Sequence, residues 1–238
     1  MPEAEAALNC RQRSVDMLIL AFDTSLQSCS VALWRDGVVL ARDMTPMSRG
    51  QAEVLVPTVQ SVMATAGVEF ADLDRIAATT GPGSFTGIRV GLATARGFAL
   101  AAGKPALGIP TTEALAAAVD AKDRVGFDRI VSAIDSQRGD VFAQAFSPDL
   151  RAEAAPINSP ITSLGAWFGS GRTLVVSDGA EMIKAAWPDV AVSTAAGSCD
   201  PAVVARLAAD RSLPSSPATP VYVRPPDVTM SVRVVSSS

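Results

Sequence analysis

Two aspartates stand at the ends of apolar runs, and the residues that follow them could take part in phosphate chemistry. Asp23 ends one run and is followed by Thr24 and Ser25, and Asp135 ends a second run later in the chain. Hydroxyl groups and backbone amides at a tight turn can bind phosphate, and a nearby aspartate can hold Mg²⁺ or act as a base. Two ordinary polar turns would have the same composition, so the residues by themselves leave both interpretations open.

A glycine-rich turn offers another place where phosphate could bind. The turn at 81–83 follows the apolar segment 75–79, and Ser84 or Thr86 can cap the helix that comes next. Such a turn can cradle phosphate on free amides, or it can simply join a strand to a tightly packed helix. The spacing matches neither the dinucleotide-binding fingerprint nor the P-loop, so this choice also stays open.

The helix predicted over 86–100 has one face that is nearly bare of side chains. Gly87, Gly91 and Ala95 recur at intervals of four residues and therefore lie on the same side. Each interior glycine costs about 1 kcal/mol of stability relative to alanine. We therefore expect a compensating contact, such as the close approach of another backbone segment.

The chain contains no histidine, and this absence excludes several kinds of catalytic site. A Ser-His-Asp triad and a histidine-based zinc site cannot form, so we expect no metal site and no catalytic residue. The cysteines are Cys10, Cys29 and Cys199, an odd and unpatterned set that indicates reduced thiols rather than a disulfide framework. No imidazole is present to activate any of them.

The composition indicates a globular protein with a sizeable core. Of the 238 residues, 48% are hydrophobic and only 18% are charged, and the net charge of −4 disfavours general binding to nucleic acid. No apolar run reaches the roughly 18 residues that a membrane span requires. With its reduced cysteines and no signal peptide, the chain is predicted to be cytoplasmic and to have no membrane partner.

The elements that would position these residues repeat along the chain. A strand that ends in aspartate, a turn and a return strand occur in both halves, which predicts a duplicated α/β domain with a boundary near Pro110. We expect residues 1–16 to be a disordered extension, 147–173 to be irregular, and 227–238 to be a loose tail. The predicted strands are 17–23, 28–35, 38–43, 75–79, 106–109, 130–135, 140–146 and 173–177, with helices at 51–66, 86–100, 113–120, 181–186 and 201–209.

Five segments in order carry a family resemblance. They are Leu-Ala-Phe-Asp-Thr-Ser from position 20, Gly-Pro-Gly-Ser-Phe-Thr-Gly-Ile-Arg-Val-Gly-Leu from 81, Asp-Ser-Gln-Arg-Gly from 135, Ser-Asp-Gly-Ala from 177 and Pro-Val-Tyr-Val-Arg from 220. Over residues 17–226 the chain resembles the TsaB (YeaZ) family of accessory proteins in bacterial tRNA threonylcarbamoyladenosine (t6A) synthesis. The second segment is highly specific, whereas the others are individually weak.

The resemblance implies an ASKHA fold (actin-like ATPase, ribonuclease H-like), with an N-terminal lobe at 17–110 and a C-terminal lobe at 111–226. Each lobe would have a mixed sheet with packed helices. The chain would have no catalytic residues, and it would keep a remnant of a nucleotide cleft that binds adenine nucleotide weakly at most. The residues of that remnant would be Asp23, Thr24, Ser25, Asp135 and Gly179.

The resemblance also implies partners. TsaD, the transferase of the pathway, modifies N6 of adenosine 37 in tRNAs that read ANN codons, and it carries an HxxxH metal site. The corresponding segment 50–57 lacks histidine here. This chain would be a non-catalytic partner of TsaD, would join TsaE, would contact tRNA only through the complex, and would form a homodimer without TsaD. The implied interface lies on two helices and comprises Leu55, Val59, Val62, Met63, Gly87, Ile88, Gly91 and Ala95.

Two other functions differ in the support that the residues give them. A free-standing ASKHA-type ATPase or small-molecule kinase would use Asp23 or Asp135 for Mg²⁺ or as a base, although no Lys or Arg stands in the first turn. A protease function has no support from the residues, because the chain has no histidine for a metal-dependent or serine mechanism.

Overall fold

Two five-stranded mixed sheets, each with its own helices, organise the chain. The computed structural model describes residues 17–195 and 197–224. The first sheet and its helices comprise β1 (Leu18–Asp23), β2 (Ser28–Arg35), β3 (Val38–Pro46), α1 (Gln51–Ala66), β4 (Arg75–Thr79), α2 (Phe85–Ala102) and β5 (Ala106–Ile109). The rest comprise α3 (Thr111–Ala118), β6 (Arg129–Asp135), β7 (Asp140–Phe146), β8 (Ile157–Pro160), α4 (Leu164–Phe168), β9 (Thr173–Ser177), α5 (Ala180–Ala186), β10 (Ala191–Val192) and α6 (Pro201–Asp210).

The two sheets have the same topology. The strand order is β3-β2-β1-β4-β5 in one and β10-β9-β6-β7-β8 in the other, so β1 corresponds to β6 and β4 to β9. In each sheet the first strand is antiparallel to the second and parallel to the strand on its other side. The duplication predicted from the sequence is therefore confirmed, and the equivalent strands β1 and β6 both end in aspartate. This repeated arrangement is the ASKHA fold.

The three inner strands of each sheet are largely apolar without alternation because both of their faces are covered, whereas the edge strand β3 is mostly exposed. In β1, Leu20 and Phe22 pack under α1 and α2, whereas Ile19 and Ala21 face α3 and α6. The second sheet packs α4 and α5 on its outer face. The layers are therefore α1 and α2, the first sheet, α3 and α6, the second sheet, and α4 and α5.

The two central helices join the sheets to each other. Helix α3 packs on β6, β7 and β9, and α6 packs on β1, β2, β4 and β5. Helix α6 belongs to the half of the sequence that we assigned to the C-terminal lobe, yet it covers the N-terminal sheet. Asp200 caps α6 as predicted, because its side chain accepts a hydrogen bond from the amide of Ala202 at 2.9 Å.

The predicted elements agree with the structure except in a few segments. The region 147–173 was expected to be irregular, but it contains β8 and α4. These elements are only four and five residues long, too short for a periodic pattern to be recognised. Helix α3 begins two residues earlier than predicted, with Pro110 as its N-cap. The expectations for 1–16 and 227–238 lie outside the described residues.

Candidate functional site

A cleft of about 620 Å³ lies between the lobes, where the candidate residues of both halves meet. It is lined by the turn after β1, the turn after β6, the glycine-rich turn before α2, and residues 221–224 near the C-terminal end of the described chain. The two aspartate-containing turns, far apart in the sequence, therefore do face one cavity. This follows from the repeated topology, because both turns leave equivalent strands at the same end.

The first turn uses its polar groups to bind its own aspartate. Asp23 is fully buried, and its Oδ1 accepts hydrogen bonds from the Ser25 amide at 3.1 Å, the Ser25 hydroxyl at 2.5 Å and the Thr79 hydroxyl at 2.5 Å. Its Oδ2 is buried and has no hydrogen-bond partner. Burial raises the pKa of Asp23, and these hydrogen bonds only partly oppose the rise. The amide and hydroxyl of Ser25, which could have held phosphate at this turn, are therefore directed inward.

Thr24 fills the bare face of α2. Its hydroxyl donates to the carbonyl of Gly87 at 2.7 Å, and a Cβ placed on Gly91 would lie 2.7 Å from the same hydroxyl oxygen. A Cβ on Gly87 would clash with the carbonyl oxygen of Thr24. The expected close approach of another backbone is therefore present, and it is made within the chain.

The glycine-rich turn is also bonded to the first turn. The amide of Ser84 donates to the carbonyl of Ser25 at 2.7 Å, and a Cβ on Gly83 would clash with that carbonyl. The Ser84 side chain caps α2 by accepting from the amide of Gly87 at 3.2 Å. Of the two interpretations of this turn, the structure favours close packing before a helix.

Two carboxylates of the second lobe reach the cleft, Asp135 from the turn after β6 and Asp178 from the turn after β9. Asp135 accepts from the amide and the side chain of Gln137, both at 2.7 Å, and its own amide donates to Asp178 at 2.8 Å. Both aspartates line the cleft. Burial raises the pKa of Asp178 from 3.8 to about 6, and the charges of Asp135 and Asp23 add to the rise. The next residue, Gly179, is the N-cap of α5 and does not line the cleft.

This arrangement does not favour phosphate chemistry. The cleft presents Asp135 and Asp178, and negative charge opposes the binding of an anion. Of the two arginines that line it, Arg224 pairs with Asp140.

Within residues 17–195 and 197–224, no three of the His, Cys, Asp and Glu side chains come together as a metal-binding group. Burial raises the pKa of Cys29 to about 11, so this thiol stays protonated at neutral pH.

The residues expected at a helical interface lie in the interior of the chain. The outer faces of α1 and α2 carry other residues, among them Val56, Gln60, Ala93 and Gly97. A Cβ on Gly97 would have nothing within 4 Å. Any interface on these helices must therefore use the outer faces. The buried residues, all in the core or against the first turn, are Leu55, Val59, Val62, Met63, Gly87, Ile88, Gly91 and Ala95.

The sequence did not indicate the cluster at the mouth of the cleft. The Arg89 guanidinium lies 3.6 Å from the centre of the Phe85 ring, and its Nε donates to the Tyr222 hydroxyl at 3.0 Å. The two aromatic rings are 5.1 Å apart. We call residues 211–224, which reach this cluster from the end of α6, the C-terminal strap. The chain has a single tyrosine, and this feature could have drawn notice to Tyr222.

No helix within the described ranges is long and apolar enough to span a membrane.

Parts of this chain are similar in sequence to known proteins. The family model of TsaD, tRNA N6-adenosine threonylcarbamoyltransferase, matches residues 45–153. The tRNA threonylcarbamoyladenosine biosynthesis protein TsaB of Escherichia coli is 39% identical over 134 residues, which are 56% of each chain. The match therefore spans little more than half the length of this relative.

Solved structures extend the similarity over most of the chain. A Pseudomonas aeruginosa protein described by its similarity to the peptidase YeaZ superposes with a TM-score of 0.74 at 25% identity, covering 87% of this chain and all of the other. YeaZ from P. aeruginosa gives a TM-score of 0.69 at 26% identity, covering 81% and 91%. The sequence and structural similarities together support the assignment of this chain to the TsaB (YeaZ) family.

Proposed function

We propose that this chain is a non-catalytic partner subunit of a TsaD transferase in the threonylcarbamoylation of N6 of adenosine 37 in tRNAs that read ANN codons. Relatives named as t6A biosynthesis proteins support a role in this pathway. The observation that carries the non-catalytic role is the first turn, where Asp23 accepts from the amide and hydroxyl of Ser25 and from the Thr79 hydroxyl, groups that could otherwise bind phosphate. The chain also has no histidine with which to build the metal site of TsaD.

The outer faces of α1 and α2 are the surface that we propose for TsaD. From residue 54 to residue 67, α1 and its C-cap carry no charged side chain. The charged residues of α2 are Arg89 and Arg96, and both donate to the strap, at Tyr222 and at the carbonyl of Ala218. Apart from Glu53 in the first turn of α1 and the two arginines, the adjacent helices thus present a surface of uncharged and mostly small side chains, which lets another helix pair approach closely.

The same surface suits a homodimer when TsaD is absent. Because the TsaD family model matches a segment of this chain that includes both helices, related surfaces in the two proteins could pair in the same way. The exposed residues that make up the proposed surface are Ala52, Val56, Pro57, Gln60, Ser61 and Ala64 on α1, with Thr86, Ala93, Gly97 and Leu100 on α2.

The remaining partners follow from the pathway. TsaE would bind the complex of the two proteins, and tRNA would be contacted through that complex, since the net charge of −4 gives this chain little attraction for phosphate. Modification of tRNA would place the chain in the cytoplasm. We propose no cofactor beyond weakly bound adenine nucleotide, because the carboxylates of Asp135 and Asp178 face the cleft.

Reconstitution of the modification tests the proposal. TsaD, TsaE and the enzyme that makes the threonylcarbamoyl adenylate are combined with unmodified tRNA, with and without this chain, and t6A is quantified by mass spectrometry. The proposal expects t6A formation to depend on the chain, and expects the chain alone to form none. Formation of t6A by the chain without TsaD would overturn the non-catalytic role.

The alternative is a free-standing ASKHA-type ATPase or kinase. The feature that supports it is the interlobe cleft with its two aspartate turns. This alternative predicts that the purified chain hydrolyses ATP and that Asp135→Asn abolishes the turnover. Hydrolysis that survives repurification and is lost in this variant would favour the alternative over the partner role.

A further inference from the structure

The C-terminal strap is held firmly where it begins. The Arg75 guanidinium donates to the carbonyls of Ala208 and Arg211, both at 2.6 Å, which fixes the end of α6 and the first strap residue to the first sheet. Arg211 in turn pairs with Glu113 on α3. These contacts are partly buried, so the strap leaves the central layer from a fixed point.

The far end of the strap crosses from one lobe to the other. The amide of Val221 donates to the carbonyl of Thr80 at 2.8 Å, next to the glycine-rich turn. Tyr222 packs on Phe85 and accepts from Arg89, all in the first lobe. Two residues later, Arg224 pairs with Asp140 at the start of β7, in the second lobe.

Weak anchoring distinguishes this end from the rest of the molecule. None of residues 211–224 is fully buried, and none belongs to a helix or strand. Tyr222 is 43% exposed. Segments with little buried surface and few hydrogen bonds open locally at a much smaller free-energy cost than global unfolding. Detachment of residues 221–224 would break the contacts of Tyr222 with Phe85 and Arg89, the ion pair of Arg224, the packing of Val223 against the core and one backbone hydrogen bond, and it would leave the two sheets intact.

The same four residues form one wall of the interlobe cleft. Val221, Tyr222, Val223 and Arg224 line it together with the turn after β6. That turn would keep its shape without the strap, because Ser136 and Asn158 also donate to Asp140. Loss of the strap would therefore open the cleft without dismantling its other side.

We propose that residues 221–224 act as a detachable clasp, which ties the two lobes together through Tyr222 and Arg224 and controls access to the interlobe cleft. When the clasp is closed, the strap covers one side of the cleft and Arg224 neutralises Asp140. When it opens, residues 221–224 swing away while the carbonyl of Ala218 stays bonded to Arg96, and the turn after β6 becomes accessible from that side. The clasp is a property of this chain alone and does not depend on the partnership with TsaD.

The single tyrosine makes the clasp directly observable. The full chain is labelled with 3-fluorotyrosine, so that its ¹⁹F NMR spectrum reports only Tyr222. The proposal expects a major resonance for the closed clasp, and a shift of this resonance toward the solvent-exposed value, or growth of a second resonance there, in Arg224→Ala and Asp140→Asn. We expect the loss of this one ion pair to make the open population about fivefold larger. Arg129→Ala is the matched control, because it removes an ion pair with Glu153 remote from the strap.

Hydrogen exchange gives the second measurement. The strap peptide that contains the Val221 amide should exchange faster in Arg224→Ala and Tyr222→Ala, whereas amides of β1 and β4 should keep their protection. The clasp is refuted if the strap amides exchange only as slowly as the core strands, or if the fluorine resonance is the same in the wild type, Arg224→Ala and Asp140→Asn. A variant that loses core protection as well would show that the strap is a fixed structural part, which also refutes the proposal.

Discussion

Thr24 and Gly87 are in direct contact: the Thr24 hydroxyl donates to the Gly87 carbonyl at 2.7 Å, and no side chain fits between the two backbones. This contact fixes the first turn of the first sheet against the beginning of α2. It explains why two glycines are retained inside a helix at a cost of about 1 kcal/mol each. It also shows that the bare face of α2 is occupied within the chain.

Substitution of the α2 glycines by alanine should distinguish the destabilising effect of a steric clash from the stabilising effect of higher helix propensity. Gly87→Ala places a methyl group against the Thr24 carbonyl, so we expect a loss of at least about 2 kcal/mol in the free energy of unfolding. Gly97→Ala meets open space and should raise the free energy of unfolding by about 0.5–1 kcal/mol. Urea denaturation monitored by circular dichroism measures both. Equal effects of the two substitutions would contradict the assigned packing.

Replacement of Asp178 by asparagine should stabilise the protein at neutral and alkaline pH. The folded-state pKa of about 6 lies above the ordinary value of 3.8, so the ionised carboxylate destabilises the fold at high pH. The side-chain oxygen of asparagine can still accept from the Asp135 amide. We expect a gain of about 1–3 kcal/mol, fully present above pH 6, declining as the pH falls, and lost near pH 4.

The melting temperature measured from pH 4 to pH 8 checks this prediction for Asp178. The matched control is Asp149→Asn, because Asp149 is exposed and hydrogen bonding to Ser147 lowers its pKa. This second variant should not gain stability at high pH. A pH-independent difference between Asp178→Asn and the wild type would show that the Asp178 carboxyl is not perturbed.

Loss of Arg75 should destabilise the protein much more than loss of an exposed arginine. Arg75 donates to two carbonyls at the end of α6, and charged hydrogen bonds to partly buried groups contribute about 1.5–3 kcal/mol. Arg42 pairs with Asp200 in a contact where the arginine side chain is 45% exposed, so Arg42→Ala should cost less than about 1 kcal/mol. Chemical denaturation of the two alanine variants compares them. A larger loss for Arg42→Ala would contradict the anchoring role of Arg75.

Much of the fold could be predicted because its signals are local. The apolar strands that end in Asp23 and Asp135, and the stop of α1 at Gly67, follow from residue types that act through their immediate neighbours. The faces of α1 and α2 could not be assigned in the same way. Leu55 and Gly91 fit a partner surface by pattern, but which face is buried depends on the sheet beneath the helices and on the first turn beside them.

The electrostatics of the site and the strap also depend on tertiary contacts. No local sequence pattern indicates that Asp178 accepts from the Asp135 amide, or that Tyr222 accepts from the Arg89 side chain. These partners are separated by 43 and 133 positions in the sequence. The hydrogen bonds to the buried Asp23 could not be predicted either, because a turn of the same composition could have directed its hydroxyls outward.

The most direct test of the partner role is size-exclusion chromatography with light scattering, on this chain mixed with TsaD from the same organism. The account predicts a 1:1 complex that is lost in Ala93→Trp, on the outer face of α2, and kept in Ala185→Trp, an exposed alanine on α5. Both substitutions add the same side chain to an exposed helix position. A difference in complex formation between the two variants therefore shows that the outer face of α2 binds TsaD. Absence of any complex with the wild-type chain, or equal loss in both variants, would contradict it.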